Sequence, residues 1–255
     1  MAKKMNPQDV VNAFIKQIDG CSLYLGRVET AIQQTGLSRD QPNSDLITLY
    51  EQCFGTSAVA LESFISECFV ACANRDASAL IAHCRQRLTQ SVQSNFGPVC
   101  GGAIRLPVRS HPSVEVVRSL LAPSDWNVTF KDAAGMKQRA AQVLAAPYVT
   151  CVAALTQDDE CVINCVKAIR NYLAYRSTFS GKAMNDTLAS LARHHNVAPL
   201  ARNVTTKGNP RHVQQAGTYL RAVTGTPPQA RLLHYFDHMK LIADRLLPET
   251  VAEPS

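Results

Sequence analysis

Apolar side chains recur at three- and four-residue steps along most of this chain, which is the spacing of amphipathic helices. The pattern predicts one or two helices over residues 7–35 and further helices over 45–73, 77–92, 114–121, 133–144, 158–177, 184–194, 212–223 and 229–247. Gly20 is expected to punctuate the first segment, and Gly55 to break or bend the second. No strand-like alternation exceeds a few residues, so the sequence predicts an all-α protein, built as an antiparallel helical bundle.

Two stretches interrupt the helical pattern. Residues 37–44 are polar and contain a proline, so we predict a loop there, with Asn43 or Ser44 capping the helix that follows. Residues 95–112 contain Gly-Pro and Gly-Gly pairs and two further prolines. This composition predicts a loop or a small hairpin inserted into the bundle, with extra helices at both ends of the chain.

The 255 residues are 46% hydrophobic, which is enough to build a sizeable core. We expect a single domain over residues 1–248, followed by a frayed tail over residues 249–255. No uninterrupted apolar run reaches the roughly 18 residues that a membrane span needs. The polar N-terminus is followed by an amphipathic segment, unlike a signal peptide. The sequence therefore predicts a soluble, cytoplasmic protein without a membrane partner.

The nine cysteines do not follow the pattern of a disulfide framework. Cys68 and Cys72, like Cys161 and Cys165, stand four residues apart within apolar helical patterns. That spacing differs from the Cys-x-x-Cys of redox and zinc motifs. We predict reduced thiols that serve as small core residues.

Positive charge is concentrated in one part of the chain. The formal net charge is +6, but between Cys161 and Arg221 nine lysines and arginines stand against a single acid, Asp186. The remainder of the chain is therefore slightly acidic. A local excess of this size would attract a polyanion, although a solvated basic face would give the same pattern.

The stretch Ala168–Ser177, at the end of the central helix, combines two arginines, an asparagine and two tyrosines. The core-facing positions of this helix are Val162, Cys165, Val166, Ile169 and Leu173. Arg170 follows Ile169 and is therefore about 100° round the helix, at the border of the apolar face. A long cation at such a border either extends to water or holds an anion.

Arg170-Asn171, followed four residues later by Tyr175, resembles the Arg-Asn-x-x-x-His motif of the HEPN superfamily, a group of all-α ribonucleases and toxins. Arg176-Ser177 after that position also fits the family. Upstream, Ala60–Phe64 is similar to the helix that family members place against the arginine-bearing helix, with an acidic residue facing the site. The likeness covers roughly residues 45–195 and is architectural outside these two stretches.

The resemblance implies a site of defined composition. In the family, the arginine holds the phosphate, the histidine acts as base or acid, and two protomers bring their motifs together in one groove. Arg170 would then hold the phosphate with Asn171 beside it as the second motif residue, Glu62 would orient Arg170, and Tyr175 would stand in place of the histidine. Arg170, Asn171, Tyr175 and Glu62 are thus the candidate catalytic residues. The candidates for RNA binding are Arg176, Ser177, Lys182, His194 and His195. The partners that the resemblance implies are RNA, a second copy of the chain and an antitoxin or defence-system protein, with no metal or cofactor.

Tyr175 departs from the family motif at the residue that carries its acid–base chemistry. A tyrosine hydroxyl ordinarily ionises at about pH 10, so roughly one molecule in a thousand is a phenolate at neutral pH. Such a group is a poor general base. Two interpretations remain: a catalytically silent member that keeps the RNA-binding groove, or an active one that uses another group.

The other histidines and the glycine motifs support no different chemistry. His234 and His238 stand four residues apart on the last predicted helix, but a His-Glu-x-x-His motif and a third ligand are missing, so a helix surface is favoured over zinc. His83 and His111 are expected to be ordinary surface residues. No phosphate-binding loop, Rossmann glycine pattern or nucleophile elbow occurs in the sequence.

The leading hypothesis is therefore a HEPN-type, metal-independent endoribonuclease of a toxin–antitoxin or phage-defence system, acting as a homodimer, with Tyr175 leaving its activity open. The alternative is a non-catalytic HEPN-like module that binds RNA or a protein. A helical protein of unrelated origin with a chance Arg-Asn match is the third, and it predicts that Arg170 points into open solvent.

Overall fold

A computed structural model describes residues 4–34, 41–103, 111–123, 127–203 and 207–248, and the all-α class is confirmed. The α-helices of this part of the chain are α1 (Pro7–Gln34), α2 (Gln41–Arg75), α3 (Ser78–Phe96), α4 (Pro98–Ala103), α5 (Val114–Leu121), α6 (Ala133–Val143), α7 (Tyr148–Ala153), α8 (Gln157–Tyr175), α9 (Thr178–Ser190), α10 (Ala216–Arg221) and α11 (Arg231–Arg245). Two 3₁₀ helices cover Leu191–Arg193 and His195–Leu200. A small hairpin pairs β1 (Val223–Thr224) antiparallel with β2 (Gln229–Ala230).

The chain divides into two compact units. Unit 1 comprises Met1–Asn12, Ser63–Ala154 and Arg245–Ser255, and unit 2 comprises Ala13–Glu62 and Leu155–Asp244. The single domain that the sequence predicts over residues 1–248 stays a prediction.

Unit 1 is built around apolar side chains of several helices and one ion pair. Its buried residues include Phe69, Val70, Leu80, Val117, Met136 and Val143. The Arg118 guanidinium donates to both carboxylate oxygens of Glu67, at 2.7 and 2.5 Å. This two-bond geometry raises the pKa of Arg118, chiefly through the hydrogen bonds to Glu67, and links α5 to α2.

Unit 2 has the central helix α8 in its core, as the apolar pattern predicts. Val162, Cys165, Val166 and Ile169 are buried, and Leu173 is half-buried. The rings of Phe54 and Tyr235 meet edge to face with centroids 5.3 Å apart. Contacts of this kind, rather than helix propensity, supply most of the stability of a helix.

The prediction that Gly20 interrupts the first helix is wrong, and so is a break of the second helix at Gly55; a bend at Gly55 stays a prediction. Gly20 lies inside α1 and Gly55 inside α2, and both helices are continuous. A glycine costs about 1 kcal/mol in a helix interior. Burial of neighbours such as Phe14 and Ile18 beside Gly20, and Phe54 beside Gly55, outweighs that cost.

The predicted insert at 95–112 is partly helical. Pro98 opens the short helix α4, a position where proline is favoured because its missing N–H is not needed. Residues 104–110 lie outside the described part of the chain. The predicted loop at 37–44 is wrong over its last residues, because α2 begins at Gln41 and includes Asn43 and Ser44, which are therefore not caps. Residues 35–40 are again outside the described part.

Near the C-terminus the structure differs from the predicted helix over 212–223. Only Ala216–Arg221 are helical there, and the hairpin of β1 and β2 encloses the Gly-Thr-Pro-Pro turn that follows. Proline and glycine disfavour helix continuation, and two-residue strands are too short to give a readable alternation. The tail at 249–255 lies outside the described residues.

One helix in the described part of the chain, Asn43–Arg75, is long and apolar enough to cross a membrane. Of its most apolar stretch, 72% is buried inside the protein. A core helix of the same length and composition has the same property, and the cytoplasmic location stays a prediction.

Candidate functional site

Helix α8 starts with a capping box formed by Thr156 and Asp159. The Thr156 hydroxyl accepts from the Asp159 backbone N–H at 3.2 Å, and the Asp159 carboxylate accepts from the Thr156 N–H at 2.9 Å and from its hydroxyl at 2.8 Å. Asp159 is only 2% exposed. Carboxylates in the first turn also interact favourably with the helix dipole, so this end is strongly defined.

The other end of α8 is a sharp junction with α9. Arg176 caps α8 in the left-handed conformation, with φ of 50°. Ser177 then caps α9, because its hydroxyl accepts from the Ser180 N–H at 3.1 Å while the Ser180 hydroxyl accepts from the Ser177 N–H at 3.1 Å. The serine pair fixes where one helix stops and the next starts.

Arg170 contacts both Asn171 and Glu62. The Arg170 Nη1 donates to Asn171 Oδ1 at 3.1 Å, and its Nη2 lies 3.5 Å from Glu62 Oε2. The side chains of Arg170 and Glu62 remain 34% and 41% exposed. An ion pair with this much solvent contact contributes at most about 1 kcal/mol, so Glu62 can orient Arg170 without sequestering it.

Arg176 is held by Glu51, a residue that the sequence reading missed. Arg176 Nη1 donates to Glu51 Oε1 at 3.2 Å, and Nη2 makes a close contact with Oε2. The hydrogen bonds to Glu51 are the main reason that the pKa of Arg176 is raised. Glu51 is 11 residues before Glu62, which is close to three helical turns, and this spacing is the signal that could have identified it.

The two ion pairs show the relative direction of α2 and α8 within unit 2. Arg170 pairs with Glu62, whereas Arg176, later in the chain, pairs with Glu51, which is earlier in α2. Because the order is reversed, the facing parts of the two helices run antiparallel. The junction of α8 and α9 therefore lies beside the part of α2 that carries Glu51.

Two aromatic rings project from this junction into solvent. Tyr175 is 71% exposed and Phe179 is 85% exposed. Tyr172, by contrast, is anchored, because its hydroxyl donates to the Gln214 carbonyl at 2.7 Å and its ring lies 5.5 Å from the Arg176 guanidinium. We call the exposed surface formed by Tyr175, Arg176, Phe179 and Lys182 the junction surface.

The predicted RNA-binding residues fall into two places. Arg176, Ser177 and Lys182 are exposed at the α8–α9 junction. His194 instead lies beside the first turn of α8, where its Nδ1 is 2.9 Å from Asp158 Oδ1. Asp158 precedes Arg170 by 12 residues, or about 18 Å along the helix. His194 is therefore at the opposite end of α8 from Arg170, and the His195 side chain lies outside the described part of the structure.

His234 is not positioned to bind a metal. Its Nδ1 is 3.0 Å from the Gln229 amide nitrogen, and its Nε2 is 3.0 Å from the Thr224 carbonyl oxygen. Both ring nitrogens are therefore occupied in the β1–β2 hairpin region. Among the described residues, no cluster of three or more His, Cys, Asp or Glu is placed to hold a metal ion.

All nine cysteines are free thiols. Cys68, Cys72, Cys161 and Cys165 are buried, as expected for small core residues. Cys161 Sγ lies 2.9 Å from Ser190 Oγ. The pKa of Cys161 is lowered to about 6, mainly by a hydrogen bond with Cys165 and further by Ser190 and the nearby His194, against the effect of burial.

Comparisons with known proteins give no match, whether to a family model, to a curated protein or to a solved structure. The resemblance to the HEPN superfamily therefore depends on the motif residues alone. The described residues form a cationic and aromatic junction surface near Arg170, which is oriented by the Glu62 carboxylate.

Proposed function

We propose that this chain is a HEPN-like protein that binds single-stranded RNA at the junction surface. One observation carries the proposal: Tyr175 and Phe179 are 71% and 85% exposed among exposed cations. Large aromatic side chains are costly to leave in water, and their faces are the usual platforms on which unpaired bases stack. Arg176 and Lys182, on either side of Phe179 in the sequence, supply charge for the phosphates.

The chemistry of the surface favours single strands over a duplex. Bases of a single strand are accessible for stacking, and each stacked base contributes about 1–3 kcal/mol. The bases of an A-form duplex are already stacked and lie in a deep, narrow major groove. A surface of two rings and flexible cations carries little hydrogen-bonding information, so we expect weak sequence preference.

Binding is favoured over cleavage because of Tyr175. The proposed site has the phosphate-binding arginine, but the residue at the motif's histidine position is an exposed tyrosine. His194, a candidate for RNA binding, is paired with Asp158 at the other end of α8. The motif position of the proposed groove therefore offers no imidazole to take the 2′-hydroxyl proton.

Ribonuclease activity is the second candidate function. It is favoured by the contact of Arg170 with both Asn171 and Glu62, the arrangement expected of an oriented phosphate-binding arginine. A homodimer that brings two copies of this group together is part of the same hypothesis. A role in a toxin–antitoxin or phage-defence system, and a protein partner from such a system, are likewise predictions.

RNA binding can be measured by fluorescence anisotropy with a short labelled single-stranded RNA at low salt. Phe179→Ala and Tyr175→Ala should each weaken binding about tenfold, the loss of roughly one stacked base. Tyr24→Ala is the matched control, because Tyr24 is 57% exposed on α1. Binding by the wild type that is equally weakened by Tyr24→Ala, or no binding at all, would refute the proposal.

Cleavage can be tested with the Tyr175→His variant. If the scaffold is a ribonuclease without its base, this variant should cut RNA that the wild type leaves intact, and a chelator should not prevent it. The double variant with Arg170→Ala is the control and should abolish the gained activity. If the wild type already cuts, another group provides the base; if no variant cuts, the second candidate is excluded.

A self-association test separates RNA binding from dimer packing. Light scattering of the wild type and of Phe179→Arg gives the molar mass of each. If Phe179→Arg turns a dimer into a monomer while RNA affinity persists, the exposed rings belong to a protein interface. If the mass is unchanged and RNA affinity falls, the stacking role is supported.

A further inference from the structure

We propose that unit 2 contains a second binding site, a small pocket for a phosphate group, at the buried guanidinium of Arg231. The pocket has a volume of about 250 Å³, and its lining includes Asn203, Arg211, His212, Gln214, Tyr219 and Arg231. This site is distinct in its residues from the junction surface. The proposal does not depend on RNA binding there.

Arg231 is a buried cation whose partners within the described residues are all neutral. It is only 1% exposed. Its Nε donates to the Pro199 carbonyl at 3.1 Å, its Nη1 to the Tyr219 carbonyl at 2.6 Å and its Nη2 to Asn203 Oδ1 at 2.8 Å. These bonds satisfy part of the guanidinium but do not neutralise it, and a buried unneutralised charge is costly.

The aromatic contact of Arg231 does not supply the missing negative charge either. The guanidinium carbon lies 4.4 Å from the centre of the Tyr219 ring. The Tyr219 hydroxyl is itself bonded to the Leu200 carbonyl at 2.5 Å and to the Tyr235 hydroxyl at 2.9 Å. Burial raises the pKa of Tyr219, so this hydroxyl stays protonated and neutral at physiological pH.

Arg202, which precedes the pocket-lining Asn203 in the sequence, is a second arginine with incomplete hydrogen bonding. Arg202 Nη1 donates to Asn185 Oδ1 at 3.2 Å. Its Nε is buried and has no hydrogen-bond partner among the described residues. Asn185 in turn holds the pocket-lining residue Val213 through two backbone hydrogen bonds, at 3.0 and 2.8 Å. An unsatisfied buried donor is rare in proteins and points to a missing acceptor.

The mouth of the pocket adds further donors. Arg211 and His212 line it and are exposed. In the described part of the chain, neither has a carboxylate within ion-pairing distance. Cations therefore converge from the buried and the open sides of one cavity. An anion entering it would meet donors on both sides.

Size and donor geometry select a phosphate group over larger or simpler anions. The volume is below the roughly 300–1,000 Å³ of pockets for drug-sized ligands. A planar guanidinium recognises oxyanions through two parallel hydrogen bonds, which a halide cannot form. The pocket thus suits a phosphate, either free or at the end of a nucleotide or RNA strand.

The test measures binding of inorganic phosphate to the full chain by isothermal titration calorimetry in a buffer without other oxyanions. The wild type should bind phosphate, and Arg211→Gln should weaken binding about tenfold, the effect of losing one charge-assisted hydrogen bond. Lys16→Gln, which removes an exposed charge of α1 outside the pocket and outside the junction surface, should change binding less than about twofold. Arg211 and Lys16 are both exposed, so both variants should fold.

Arg231→Lys examines the buried cation directly. It keeps the charge but cannot make the three hydrogen bonds, so phosphate binding should fall further than in Arg211→Gln. If Arg231→Lys does not fold, Arg211→Gln still decides the matter. Absence of phosphate binding by the wild type, or an equal loss in Arg211→Gln and Lys16→Gln, would overturn the proposal.

The source of the phosphate is distinguished by comparing adenosine monophosphate, a short RNA with a 5′-phosphate and the same RNA with a 5′-hydroxyl. An RNA terminus is indicated if the 5′-phosphate strengthens binding and Arg211→Gln removes that gain. A small phosphate ligand is indicated if only adenosine monophosphate or inorganic phosphate responds. Both results support the proposal that the pocket binds a phosphate group. Phe179→Ala should leave phosphate binding unchanged, so failure here is distinct from failure of RNA binding at the junction.

Discussion

The two ends of helix α8 belong to one helix but differ in almost every physical respect. At the first end, Thr156, Asp159 and the Asp158–His194 pair form a closed set of hydrogen bonds. At the last end, Tyr175 is exposed, and Arg170 keeps a third of its side-chain surface in water.

This comparison distinguishes polar side chains that stabilise the fold from polar side chains that stay accessible to a ligand. The polar groups of the first end bind each other, so their contribution is to the stability of the fold. Those of the last end are supported by Glu51 and Glu62 but remain available to a ligand. A sequence motif becomes a candidate binding site when its polar groups are oriented and still accessible.

The largest effect on stability should come from Gly217→Ala, which tests the close packing of α10 against the part of α2 that carries Glu51. A Cβ at this position would lie 2.3 Å from the Ile47 carbonyl oxygen. The Gly217 N–H also donates to Glu51, the partner of Arg176, at 3.0 Å. We expect a loss of about 3 kcal/mol in the free energy of unfolding.

Urea denaturation measures this loss, and Gly20→Ala is the control. Gly20 is in the interior of α1 with no atom within 4 Å of the added carbon. That change should stabilise the protein by about 0.5–1 kcal/mol. Equal stabilities for the two variants would show that the close approach of Gly217 to α2 is not important.

The second prediction compares the caps at the two ends. Asp159→Ala should cost about 2 kcal/mol, because it removes a buried carboxylate that accepts hydrogen bonds from both the N–H and the hydroxyl of Thr156. Ser177→Ala, in the exposed cap at the other end, should cost about 1 kcal/mol. Thermal and urea unfolding of both variants provide the comparison. A larger loss for Ser177→Ala would reverse the distinction between the ends.

The third prediction concerns pH and the Cys161 thiol in the first half of α8. Its pKa is about 6 when folded, lowered mainly by the hydrogen bond with Cys165. Between pH 9 and 6 the unfolded chain binds more protons, so the free energy of unfolding should fall as pH falls, by at most about 1.4 kcal/mol per unit.

Thiolate ultraviolet absorbance follows this titration directly. The difference between wild type and Cys161→Ser should show a transition near pH 6. Cys151→Ser is the control, because burial raises the pKa of Cys151, and its removal should leave the absorbance below pH 8 unchanged. A transition that survives in Cys161→Ser would assign the low pKa to another thiol.

The smallest stability effect is expected for Glu62→Gln, below about 0.5 kcal/mol, because the ion pair with Arg170 is well solvated. The same change should alter RNA affinity. If Glu62 mainly competes with phosphate for Arg170, affinity should rise a few-fold; if it mainly orients Arg170, affinity should fall. Affinity unchanged from the wild type would exclude a contact between Arg170 and the bound RNA.

Periodicity predicted the helical class and the buried face of α8 because these depend on local spacing. The cap of α8 was also readable, since Thr156 and Asp159 are three residues apart. The continuity of α1 and α2 through Gly20 and Gly55 was not readable. It depends on burial of their neighbours against segments distant in sequence, which outweighs the local cost of glycine.

The candidate site was predictable only where it depends on residues close together in the sequence. Arg170 and Asn171 are adjacent, and the partnership with Glu62 follows from the family resemblance. The position of His194 at the far end of α8 follows from the turn after α9, which no motif encodes. Arg231 lies in an apolar helix pattern and gave no signal, because its burial depends on carbonyls of Pro199 and Tyr219 that tertiary structure brings to it.

The left-handed backbone conformation of Arg176 favours glycine or asparagine, whereas the ion pair with Glu51 requires the arginine side chain. Glycine or asparagine would relax this conformation, which costs an ordinary side chain about 1–2 kcal/mol. Either would also remove the guanidinium that grips Glu51. Glycine at position 176 is therefore expected to raise the free energy of unfolding, while it removes the ion pair between α8 and α2.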